Sequence, residues 1–139
     1  MFDKIKNDIL GKEYSLSIAF VSEEKSREIN KKYRKKDKPT NVLSFSLREN
    51  EGELVLCKTV IQREARDLKK NFKSWLLFLV IHGMLHLKGM EHSSTMEKAE
   101  ALYYKRYDQK HLSRNRHRIL HDPGGGRRIR QRTKRGKKS

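Results

Sequence analysis

The sequence predicts a small domain of mixed class, with strands and helices in one chain and an apolar helix at its centre. Three observations predict it. Residues 14–20 alternate large apolar and small side chains with a period of two. Residues 23–34, 60–70 and 96–107 carry apolar positions at helical spacing. Residues 73–87 are apolar on most faces, the pattern of a buried helix. A length of 139 residues suits one such domain.

Along the chain, Tyr14, Leu16, Ile18 and Phe20 alternate with Ser15, Ser17 and Ala19, which predicts a half-buried strand over 14–21. Ser22 offers a helix N-cap, and Glu23 and Glu24 suit the positive end of the first turn. Ile29 and Tyr33 lie four apart, so a helix is expected over 23–34. Pro39 breaks the next segment. Residues 42–47 and 54–57 read as the second and third strands, with Gly52 in the turn between them. Val60, Ile61, Ala65 and Leu68 give a helix over 60–70. The central helix covers 73–87, and Gly89 is placed to end it. A last helix over 96–107 is expected to turn Met96, Ala99, Leu102, Tyr103 and Tyr107 inward.

Charge divides the chain. The net charge is +17, but residues 1–108 hold 22 basic and 16 acidic residues. Residues 109–139 hold 12 basic residues and one acid, Asp122. This predicts a folded domain over 1–108 and a basic tail over 109–139. Beyond Gly124-Gly125-Gly126 the tail has few apolar residues, and disorder in isolation is expected. Such a tail suits a polyanion. No amphipathic anchor accompanies it, so nucleic acid is favoured over a membrane surface. A single cysteine, Cys57, precludes an intrachain disulfide and is expected to be a buried, inert thiol. The N-terminus lacks the apolar stretch of a signal peptide, and the apolar run 75–81 is too short to span a bilayer. A soluble cytoplasmic protein is the expectation.

The densest chemical signal is His82-Gly83-Met84-Leu85-His86-Leu87-Lys88-Gly89-Met90-Glu91-His92. On a helix, His82 and His86 share a face. Gly89 permits the positive φ that turns the chain back, which brings His92 toward the same point. Three imidazoles suit zinc and leave a fourth position for water, the layout of a catalytic site. The spacing matches the metzincin protease pattern His-Glu-x-x-His-x-x-Gly-x-x-His except at Gly83, where that pattern has its catalytic glutamate. The missing carboxylate argues against proteolysis. His111, His117 and His121, in the basic tail, are expected to be solvated or to lie near RNA rather than to bind metal.

A second signal is Tyr33-Arg34-Lys35-Lys36-Asp37-Lys38-Pro39-Thr40-Asn41-Val42-Leu43-Ser44-Phe45, a cationic loop running into a strand. Arg34 has the geometry to grip a phosphate through two parallel hydrogen bonds. Taken together, the two segments resemble the signatures of the YbeY family of bacterial endoribonucleases, also called ribosomal RNA maturation factors. Residues 33–45 meet the first signature throughout. Residues 82–92 meet the second, with Glu91 in place of its aspartate. The resemblance covers roughly 14–107.

That resemblance implies an α+β fold, a small mixed sheet packed with helices around the metal helix. It implies a zinc-dependent endoribonuclease acting on single-stranded RNA, with roles in small-subunit ribosomal RNA maturation and ribosome quality control. Carried over by position, His82, His86 and His92 hold one Zn2+ per chain. Arg34 becomes the catalytically important arginine, with His82 beside it in the catalytic set. From its charge, the loop of Arg34, Lys35, Lys36 and Lys38 is expected to supply sequence-tolerant phosphate contacts to RNA. The segment 1–11 is shorter than the family's usual lead-in, which predicts an exposed sheet edge. Two other functions compete. One is a metallopeptidase on the same three histidines. The other is a non-catalytic, RNA-binding ribosome-assembly factor that uses zinc only to fold.

Overall fold

The computed structural model describes residues 2–114, with side chains described through Asp108. Its elements run α1 (Asp3–Ile9), β1 (Ser15–Phe20), α2 (Glu23–Arg34), β2 (Val42–Arg48), β3 (Glu51–Leu56), α3 (Lys58–Asp67), α4 (Phe72–Leu87) and α5 (Ser94–Arg114). The three strands form one mixed sheet in the order β1-β3-β2. β1 runs parallel to β3, and β2 antiparallel to it. The class is therefore α+β, as expected. Among the described residues β1 and β2 are both edge strands, and no helix is long and apolar enough to cross a membrane.

The apolar pattern explains the layering. Leu54 and Leu56 on β3, Ile61 on α3, and Val80, Ile81, Met84 and Leu85 on α4 are all buried in one core. Helix α4 lies against the sheet at Gly83. A Cβ there would stand 2.7 Å from a Leu54 methyl and 3.1 Å from the Ser44 hydroxyl oxygen. Ser44 also donates a hydrogen bond to the Gly83 carbonyl at 3.0 Å. Helix and sheet approach this closely because position 83 has no side chain.

Several details differ from the sequence expectations. Gly52 is not in a turn. It lies inside β3, paired with Leu16 and Ser46, and the reversal falls at Glu49 and Asn50. The Tyr14 hydroxyl and Leu87 crowd the space over it, so the strand needs a glycine there. Leu102 is 55% exposed rather than inward. It sits about a third of a turn off the stripe 96, 100, 103, 107, and Glu100 takes the inward place. Residues 3–9 form a helix for which no element was expected, held by buried Ile5 and Ile9. Helix α3 spans Lys58–Asp67 rather than 60–70, and Lys69 takes up positive φ beyond it. Helix α5 continues past the expected end at 107 to Arg114. The rest of the basic tail, with its expected disorder, lies outside the described residues.

The tight seam at Gly83 gives a prediction. Gly83→Ala should lower unfolding stability by about 1–3 kcal/mol, because the added methyl overpacks against Leu54. Urea denaturation would measure it. An unchanged midpoint would show that the seam is loose.

Candidate metal centre

Helix α4 begins at Asn71, whose side chain accepts from the amides of Lys73 and Ser74. It ends at Lys88, and Gly89 comes next with φ +105. The amide of Gly89 donates to the His86 carbonyl, and that of Met90 to the Leu85 carbonyl. This closed C-terminus turns the chain back, as the glycine predicted. It returns His92 to the face that already carries His82 and His86.

The three Nε2 atoms then form a compact triangle. His86 lies 3.1 Å from His82 and 3.1 Å from His92, and His92 lies 3.5 Å from His82. Three nitrogens bound at about 2.0–2.1 Å to one tetrahedral ion sit about 3.3–3.4 Å apart. The observed triangle fits that size.

Hydrogen bonds on the far side of two rings fix which nitrogen is bare. His82 Nδ1 faces the Glu100 carboxylate, which only accepts, so that nitrogen carries the proton. His86 Nδ1 donates to the Met90 carbonyl at 3.0 Å. With the rings neutral, both Nε2 atoms are then lone pairs. Two acceptors cannot hydrogen-bond each other, and lone pairs this close suit a cation between them. Among the described residues, no carboxylate or thiol joins this group as a fourth donor. Desolvation pushes the pKa of His86 down, helped by neighbouring His82, while the Met90 carbonyl pulls it partly back up. Burial thus favours the neutral, ligating form.

Glu100 is the functional residue that sequence reasoning missed. It is buried, and it orients a ring of the site. The signal was present: a carboxylate four residues after Met96, on the inward stripe of α5, needs a polar partner. Position 83, by contrast, faces the sheet rather than the histidine cluster. A glutamate there would have to displace Leu54 before it could act as the base of a peptidase.

The basic loop is built on α2. The buried Ser26 hydroxyl accepts from the Thr40 amide and donates to the Thr40 carbonyl, both at 2.9 Å. Asn30 donates to the Lys38 carbonyl at 2.8 Å. Arg27 grips Asp37 with two hydrogen bonds, at 2.6 and 3.2 Å, and holds its pKa below the usual carboxylate range. The one acid of the loop is therefore already neutralised. Arg34, Lys35, Lys36 and Lys38 are exposed, and their side chains make no ion pair or hydrogen bond with another described residue. Asn41 donates to Glu64, which also accepts from Trp75 at 3.0 Å, so the loop is tied to the start of α4. No hydrogen bond joins the loop cations to the three histidines. Cys57 is buried at the start of α3, as expected. The side chain of His111, together with His117 and His121, lies outside the described residues.

Comparison with known proteins finds relatives of the chain. Residues 2–114 match the family model described as Endoribonuclease YbeY. A Cupriavidus necator protein named Endoribonuclease YbeY is 43% identical over 91 residues, which cover 62% of this chain and 46% of that relative. A Staphylococcus saprophyticus protein of the same name is 38% identical over 109 residues, 70% of each chain. The solution structure of TM1509 from Thermotoga maritima superposes with a TM-score of 0.58 at 30% identity, covering 88% of this chain and 90% of that one. The chain spans about half the length of the Cupriavidus relatives it matches.

The ring geometry makes two outcomes testable. Glu100→Gln should weaken metal affinity about 10–100-fold in a competition titration, because the second partner of a ligating histidine sets its orientation and basicity. Unchanged affinity would remove Glu100 from the site. The metal-free protein should also lose stability on acidification. Unfolded His86 takes up a proton near pH 6.5, whereas the folded ring resists it. The contribution of His86 is therefore full above that pH and is lost as pH falls below it. Urea midpoints should drop between pH 7 and pH 5, and His86→Gln should flatten part of the drop. A midpoint that rises on acidification would contradict the assignment.

Proposed function

The chain belongs to the Endoribonuclease YbeY family, and on that premise we propose that it is a metal-dependent endoribonuclease acting on single-stranded RNA. The observation that carries the proposal is the triangle of Nε2 atoms, with two rings hydrogen-bonded at Nδ1 so that their neutral forms present Nε2. We assign zinc as the resident ion, one per chain, held by His82, His86 and His92. Bound there, zinc supplies Lewis acidity toward a phosphoryl oxygen and lowers the pKa of a water in the open position.

The protein's own groups do the rest. His82 keeps its proton on Nδ1 through Glu100 and presents Nε2. Arg34, with no internal partner among the described residues, is free to take two phosphate oxygens and offset the negative charge that they carry in the transition state. Lys35, Lys36 and Lys38 hold flanking phosphates without reading sequence. The many cations beyond residue 108 add to the same attraction. We extend the reading, as the resemblance of the two sequence signatures implies, to ribosomal RNA of the small subunit and its quality control, in the cytoplasm.

Purified, zinc-loaded protein should cleave single-stranded RNA and spare a duplex of the same sequence. His86→Ala should abolish cleavage. Arg34→Ala should reduce it about 100-fold or more while leaving metal content intact. A small-subunit ribosomal RNA precursor should be cut as well. Intact RNA with fully loaded protein would refute the nuclease reading. Undiminished cleavage by Arg34→Ala would refute the role given to that residue.

A further inference from the structure

We propose that Tyr33 is a base-stacking platform that anchors a nucleotide of the RNA strand away from the one being cut. The inference rests on the nuclease reading for its ligand and adds a subsite to it. Tyr33 is a large aromatic residue with 59% of its surface exposed, on the last turn of α2. Its ring is braced by Phe45 on β2, with centroids 5.2 Å apart and planes at 69°. An edge-to-face brace of this kind holds a ring without covering both of its faces. Tyr33 is immediately followed in the chain by Arg34, Lys35 and Lys36, whose charges have no internal partner among the described residues. An exposed, braced ring among free cations is the combination that binds single strands: the ring takes a base, and Lys35 and Lys36 take its phosphates, which leaves Arg34 for the reacting one.

The sheet sets where the platform lies. Ser44 on β2 points at α4, because its hydroxyl bonds the Gly83 carbonyl. Alternation along the strand sends Phe45, and Tyr33 with it, to the opposite face. β2 is an edge strand among the described residues, so the two faces meet at its free side. An RNA strand bound at the histidines reaches Tyr33 by crossing that edge. The stacked base and the reacting phosphate therefore belong to different nucleotides. This also accounts for selectivity, since bases inside a duplex have no free face to offer.

One contact competes. Lys32 lies 5.3 Å from the Tyr33 ring centroid. Such an exposed cation–π contact is weaker than the stacking of a base on an aromatic ring. The base displaces the ammonium, which is then free for a phosphate.

The test is stopped-flow fluorescence of a single-stranded RNA carrying 2-aminopurine, mixed with zinc-loaded full-length protein and read before cleavage. Wild type and Tyr33→Phe should quench the probe and bind it equally. Tyr33→Ala should bind about 5–150-fold more weakly, with less quenching, and with an unchanged dependence on salt. Tyr33→Leu keeps apolar packing on Phe45 and removes the flat ring, so it separates stacking from folding and should behave like the alanine variant. On an oligonucleotide abasic at the probe position, all four proteins should bind alike. Equal binding of the base-bearing probe by Tyr33→Leu and wild type would overturn the platform. So would an equal loss on the abasic strand, which would mean that the patch serves protein contact or packing. Absence of RNA cleavage alongside intact quenching would instead count against the nuclease reading and leave the platform standing.

Discussion

Two protons on the outer sides of imidazole rings govern what this molecule can do. One sits on His82 Nδ1 against Glu100, and the other on His86 Nδ1 against the Met90 carbonyl. In the neutral ring each leaves the lone pair on the inner nitrogen. With His92 the inner nitrogens lie within 3.5 Å of one another. Such a cluster is stable when a cation occupies its centre. The core, the seam at Gly83 and the turn at Gly89 all keep those rings in place.

The fold separates the chemistry from its electrostatics. The histidines ride on α4 and the loop after it, which are anchored in the apolar core. The cations ride on the end of α2 and the loop to β2, held by Ser26, Asn30 and Arg27. Glu64 couples the two supports, accepting from Asn41 on one side and Trp75 on the other. Asp37 shows how local pairing shapes the field. Once Arg27 has taken that carboxylate, every other charge in the loop is positive and free.

Much of this was legible in the sequence, for identifiable reasons. The boundaries of α2 and α4 were readable because Ser22 caps one and Gly89 comes just after the other. The histidine cluster was readable because His-x3-His plus a turn glycine constrains three rings to one place. Gly52 was misread as a turn residue, because a glycine dictated by crowding from Tyr14 and Leu87 looks the same in sequence as one dictated by a turn. Leu102 was misplaced because its hydrophobicity outweighed its phase on the helix. Glu100 was missed for the complementary reason: a charged residue on an inward stripe resembles noise until its partner is known. The spacing of Ile29 and Tyr33 marks the helix, yet the buried stripe of α2 is Ser26 and Asn30, which serve the loop rather than the core.

The measurement that bears most directly on the central claim is anomalous diffraction at the zinc edge, from crystals of the protein grown with zinc. The expected result is a single strong peak at bonding distance from Nε2 of His82, His86 and His92, with solvent as the remaining ligand. A peak elsewhere, no peak, or a protein side chain in the fourth position would contradict it.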